Sequence, residues 1–160
     1  MEVQSLIQRS VKRIRVVLGE DPRSWPTELR YAAGFAALFD ASVSLVYRIK
    51  APVIYPGPEL PASGLVLPTG AYDRLSDEAE SMLDEAKALM AGFGVEAEAK
   101  LVDASREARH GSPEGDCDLI VMSKPKPKGL GKLFADGETI DIVSRAGCPV
   151  IVIYPPNEKS

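Results

Sequence analysis

Two hydrophobic periodicities take turns along this chain. Short runs rich in β-branched residues read as five strands: RIRVVLG (13–19), SVSLVYRI (42–49), VEAEAKLV (95–102), DLIVMS (118–123) and CPVIVIY (148–154). Between them lie segments with apolar residues at helical spacing. Leu29, Ala32, Ala33, Ala36 and Phe39 share one face of a helix that begins near Pro26 and stops at Asp40. Leu75, Ala79, Met82, Leu83, Ala86 and Met90 form the stripe of a second helix, with acidic residues crowding its start and Gly92 and Gly94 ending it. ADGETIDIVSRAG (135–147) reads as a last helix. Strands alternating with helices predict an α/β domain built on one doubly wound parallel sheet, with right-handed crossovers and helices on both faces.

Two segments depart from this rhythm. Residues 51–70 hold five prolines and three glycines, a density that neither a helix nor a central strand survives. This is a long crossing loop. Residues 103–118 should supply the third crossover but contain no Leu, Ile, Val, Met or aromatic residue, so a short turn of helix around 105–110 is the most they are expected to form. The organisation is then an N-terminal extension (1–12), one α/β domain (13–154) and a short tail (155–160).

Composition narrows the function classes. The chain has 160 residues and a net charge of −4, with no global positive field to attract nucleic-acid phosphates. Cys117, Cys148 and the lone His110 supply too few ligands in too scattered a pattern for structural zinc, so no metal is expected. The two cysteines read as small buried hydrophobes. No paired carboxylates and no nucleophile beside a base point to an enzyme. No apolar run nears the ~20 residues that span a membrane, and no secretory signal opens the chain, so the expected location is cytoplasmic.

In open parallel sheets, ligands bind beyond the carboxyl ends of the strands where strand order reverses. Here those positions are Gly19-Glu20-Asp21 and Met122-Ser123-Lys124. The second leads into SKPKPKGLGKLFADGETI, a stretch rich in lysine and glycine before a helix, the setting in which many α/β proteins hold phosphate. Details argue against that use. Asp136 is placed to cap the helix and accept from the same N–H groups an anion would need. Glu138 adds negative charge to the first turn, and Pro125 and Pro127 have no N–H to offer. Lys124, Lys126, Lys128 and Lys132 argue the other way, as point charges for a polyphosphate or an acidic partner. No aromatic residue interleaves them to stack bases, so specific nucleic-acid recognition is not expected.

The segments RYAAGFAALFDASVSLVY, CDLIVMS and SRAGCPVIVIY resemble the universal stress protein family over about residues 13–154. The resemblance implies strand order 3-2-1-4-5. It also implies a homodimer joined through the last strand, Val150, Ile151, Val152 and Ile153, an apolar strand that would otherwise lie bare at a sheet edge. Many members bind ATP through a Gly-x2-Gly-x9-Gly-Ser/Thr loop. Laid on this chain without gaps, that pattern falls on Ser123, Lys126, Asp136 and Gly137, so none of its four parts is retained, although Gly129 matches a further loop glycine. The acidic residue that family members carry after the first strand aligns with Glu20, beside Asp21.

The expectation is a non-enzymatic regulatory or protective protein with a degenerate nucleotide loop, little or no ATP binding and no cofactor. The alternative is a nucleotide-binding sensor for ATP or an AMP-like ligand that uses the lysines and the Glu20-Asp21 corner. A third reading is an adaptor whose lysine loop docks an acidic protein or a small anion.

Overall fold

The computed structural model describes residues 2–49, 70–103, 117–124 and 137–154. Five strands form: β1 (Arg13–Val17), β2 (Ser42–Ile49), β3 (Ala97–Asp103), β4 (Leu119–Ser123) and β5 (Val150–Ile153). They make one sheet in the order β3-β2-β1-β4-β5, with every neighbouring pair parallel. This is the order the sequence resemblance implied. Val16, at the centre of the sheet, lies beside Leu45 on one side and Val121 on the other. The helices are α1 (Val3–Ser10), α2 (Trp25–Phe39), α3 (Ala71–Gly92) and α4 (Gly137–Arg145).

Alternation along the strands sorts the core into two layers. Ile14, Val16, Leu45, Leu119 and Val121 point to the face covered by α2 and α3, where they pack with Leu29, Ala32, Ala36, Leu83, Ala86 and Met90. Val17, Ile120 and Met122 point to the other face and meet Ile142 and Ala146 of the α4 region. β4 is buried along its whole length, which is why its sequence is a continuous apolar run and not an alternating one.

The element boundaries have local reasons, and one of them, the start of β3, differs from the sequence expectation. Within the N-terminal segment, Val3–Ser10 is helical and packs against α2. Val95 belongs to a turn and not to the third strand: its N–H donates to the carbonyl of Met90 (3.0 Å), just after Gly94 turns the chain at φ 82°. Asp40 closes α2 where the sequence expected it to stop, in the left-handed conformation (φ 52°), and its N–H returns to the Ala36 carbonyl. That conformation is rare outside glycine, but Asp and Asn adopt it more readily than most residues. The expected helical turn around 105–110 and the proline-rich loop over 51–69 lie outside the described residues.

The amino ends of β1 and β4 are tied by one side chain. Asp118 Oδ2 accepts from the N–H groups of Lys12 (3.0 Å) and Arg13 (2.9 Å), and its Oδ1 faces the Arg13 guanidinium at 3.2 Å. The Arg13 side-chain hydrogen bond, followed by the backbone bond from Lys12, holds the Asp118 carboxyl below the usual range.

Candidate functional site

The strand order reverses beside β1, with β2 on one side and β4 on the other. At the carboxyl ends of β1 and β4 the structure places a closed polar knot where the general rule puts a ligand crevice. Glu28, one turn into α2, projects from the helix face that covers the sheet and is fully buried. Ser123, the last residue of β4 and only 5% exposed, donates its hydroxyl to Glu28 Oε2 at 2.7 Å. The Gly19 N–H reaches the same oxygen at 3.4 Å. Oε1 has no hydrogen-bond partner among the described residues.

A carboxylate held out of water is costly, so burial pushes the Glu28 carboxyl up to about 7, against the opposing pull of the Ser123 and Gly19 hydrogen bonds. Near neutrality this group is poised between its charged and neutral forms.

Trp25 and Gly19 complete the knot. The Trp25 indole N–H donates to the Gly19 carbonyl at 2.8 Å, and the ring meets Tyr47 edge-on, with centroids 5.4 Å apart at 73°. The Tyr47 hydroxyl is pushed up by burial first, then by the charges of Glu20 and Glu78. Gly19 is glycine for lack of space. A Cβ there would lie 2.9 Å from Ser123 Oγ and 3.4 Å from Ser24 Oγ.

The residues singled out from sequence are distributed unevenly around this point. Ser123 is at its centre. Glu20 is exposed at the rim. Asp21 caps the short 3-10 turn Pro22–Ser24, accepting from the Arg23 N–H at 3.0 Å and pairing with its guanidinium at 2.9 Å. Those Arg23 contacts hold its carboxyl below the usual range. The Lys124 N–H donates to the Ile153 carbonyl at 2.9 Å, lashing the end of β4 to β5. Gly137 opens α4. Lys126, Gly129 and Asp136 lie outside the described residues, as does the capping role expected of Asp136. Val150, Ile151, Val152 and Ile153 form the edge strand β5. Among the described residues no group of three or more His, Cys, Asp and Glu side chains is placed to hold a metal, and no helix is long and apolar enough to cross a membrane.

Sequence reasoning missed Glu28. The signal was present, because Glu28 stands four residues before Ala32 and eight before Ala36, squarely on the apolar stripe of α2. It also missed that Cys117 and Cys148 come together, with their sulfurs 3.6 Å apart. The two are half-buried beneath α4 and not fully enclosed.

An all-parallel sheet in this order, with its switch point between β1 and β4, defines a doubly wound α/β domain. The family model described as "Universal stress protein family" matches residues 10–154, and the chain belongs to that family. It is similar to a universal stress family protein from Burkholderia pseudomallei at 25% identity, covering 91% of this chain and 97% of that one, with a TM-score of 0.58. It is similar also to a universal stress protein from Archaeoglobus fulgidus at 24% identity, covering 89% and 98%, with a TM-score of 0.61. A structure of the universal stress protein from Archaeoglobus fulgidus in complex with dAMP is 20% identical, covers 90% and 98%, and has a TM-score of 0.58. No curated protein matches the chain.

Proposed function

We propose that this protein is a non-enzymatic regulatory or protective member of its family, with little or no ATP binding, that works as a homodimer. The observation that carries this reading is the Ser123–Glu28 hydrogen bond of 2.7 Å at the switch point. Ser123 stands where the family signature has its first glycine, and its hydroxyl extends into space that a bare backbone would leave open. Behind it sits a carboxyl. When ionised it repels a phosphate, and when protonated it offers one hydrogen in place of a row of backbone N–H donors.

The dimer rests on the character of the β5 edge. Val150, Ile151 and Val152 are half-buried there, while Ile140 and Val143 of α4 (49% exposed each) and Tyr154 (46%) leave apolar surface on α4 and just after β5. An unpaired apolar edge with such surroundings suits a second copy of the same strand.

A second reading is favoured by one atom. Glu28 Oε1 is a buried acceptor with no partner among the described residues, and a ribose hydroxyl or the amino group of a purine would satisfy it once the knot opened to admit the ligand. This matches a nucleoside-type ligand better than a triphosphate. The related fold from Archaeoglobus fulgidus in complex with dAMP gives that reading its precedent.

Melting temperature separates the two, because a ligand that binds only the folded state must raise stability. We expect no shift with millimolar ATP, AMP or adenosine, and no nucleotide in the ultraviolet and mass spectra of denatured purified protein. A shift with AMP and adenosine, absent with ATP, establishes the second reading. Stoichiometric co-purifying ATP overturns both.

A further inference from the structure

The two cysteines are 31 positions apart in the chain, yet their sulfurs approach to 3.6 Å. Cys117 immediately precedes Asp118 at the foot of β4, and Cys148 stands two residues before β5 begins. The parallel pairing of Ile120 with Val150 brings these two strand entries side by side. The same register sets Cys117 one residue beyond the position facing Cys148, a diagonal of about 6 Å between strands about 4.8 Å apart, within the Cα separations of roughly 4.4–6.8 Å that a disulfide spans. Both thiols are half-buried against the cluster of Val17, Ile120 and Met122, so solutes reach them from one side.

We infer that Cys117 and Cys148 form a reversible intrachain disulfide with small-molecule disulfides as oxidant, stapling the start of β4 to the start of the edge strand β5. The inference is independent of whether the crevice binds nucleotide. The step is a pair of exchanges. The Cys117 thiolate attacks one sulfur of a glutathione disulfide, forming a mixed disulfide and expelling a glutathione thiolate. Cys148 gives up its proton and attacks the Cys117 sulfur, expelling the second glutathione. The protein loses two electrons and two protons, and the oxidised glutathione gains both as two thiols. Sulfurs at 3.6 Å have about 1.5 Å left to close to bond length, a distance that suits side-chain rotation.

Burial pushes the Cys148 thiol up to about 11, helped by its hydrogen bond to Cys117 and by the charge there; Arg15 pulls the other way and Asp118 adds to the rise. A raised Cys148 thiol disfavours the thiolate at that sulfur at neutral pH. Once formed, the bond closes the segment 118–147, which includes α4 and leads to the β5 edge, into a covalent loop.

The test uses the full chain, reduced, desalted and incubated with oxidised glutathione. We expect two titratable thiols to disappear and the intact mass to fall by about 2 Da, the two hydrogens lost in the exchange. A non-reduced digest should contain the Cys117–Cys148 cross-linked peptide. The melting temperature should rise by several degrees, as loop closure in the unfolded chain predicts, and return on reduction. Cys117→Ser and Cys148→Ser should each hold at most one glutathione and show no such rise. Two glutathiones per wild-type chain without a cross-link, a disulfide between chains on a non-reducing gel, or no loss of thiols would each overturn the inference. The wild-type measurement decides the matter even if a serine variant folds poorly.

Discussion

Ser123, at the end of β4, and Glu28, one turn into α2, are joined by a 2.7 Å hydrogen bond inside the core, across 95 positions of sequence. It couples the helix that covers one face of the sheet to the strand on the far side of the switch point. It also places a titratable group where water does not reach, which makes stability depend on pH in a defined direction.

Below pH 4.5 Glu28 is protonated in the folded and unfolded chain alike. Between 4.5 and about 7 the unfolded chain releases a proton that the folded chain keeps, so folding becomes less favourable as pH rises. Above about 7 both forms are ionised and the loss is complete, with the full change corresponding to roughly 3 kcal/mol. Glu28→Gln removes the titration. Urea denaturation from pH 4.5 to 8 should show wild type losing stability relative to the glutamine variant across that window. Parallel profiles would rule out a titrating Glu28.

Removing the Ser123 hydroxyl should move the same window. Ser123→Ala deletes the strongest contact that favours the ionised carboxylate, leaving the Gly19 N–H at 3.4 Å and the Ser123 backbone N–H. The pH at which the relative stability levels off should rise above that of wild type. The same series of denaturation curves measures it, and an unmoved midpoint would show that the hydroxyl does not sense the charge.

Gly19→Ala brings a methyl group to 2.9 Å from Ser123 Oγ. Overpacking of this kind costs about 1–3 kcal/mol. If the hydroxyl is the obstacle, Gly19→Ala in the Ser123→Ala background should cost clearly less than it does alone, by a double-mutant cycle on equilibrium unfolding. Additive effects would place the strain in the backbone.

How far the sequence foretold this molecule depends on the distance over which each feature is decided. The strands and their parallel order were legible because apolar alternation and the DLIVMS and CPVIVIY runs are local patterns, and the family resemblance supplied the order. The knot was not, because Glu28, Gly19 and Ser123 come from three elements. A carboxylate on an apolar stripe becomes informative only when the residue opposite it is known. The same holds for Cys117 and Cys148. A search for closely spaced cysteines overlooks two that meet through strand register. The Glu-Asp-Pro corner was legible as a turn, since Asp21 and Arg23 are two residues apart and Asp21 caps its own 3-10 turn.

Asp118 is expected to govern how the sheet opens at its foot. Asp118→Ala leaves the Lys12 and Arg13 amides without their acceptor. Hydrogen exchange at those two amides should accelerate while the Val16 amide, at the sheet centre, stays protected. Equal acceleration at all three would indicate global destabilisation.

The proposed dimer has its own test. Ile151→Lys puts a charge on the β5 edge, and sedimentation should then report a monomer with an unchanged circular-dichroism spectrum. A dimer of undiminished affinity would place the contact elsewhere.

The central position of β1 has a consequence for how the chain is made. Its amino end is fastened to Asp118, which follows Arg13 by 105 positions. On a ribosome adding about 5–20 residues per second, β1 emerges roughly 5–20 s before the strand that completes its second edge. Of the two neighbours of β1 in the finished sheet, β2 follows it closely in the chain and β4 does not, so the β4 side of the middle strand is the later one to be covered. The sheet's centre can therefore be completed only after the β3 edge has been made, although β1 is the first strand of the chain.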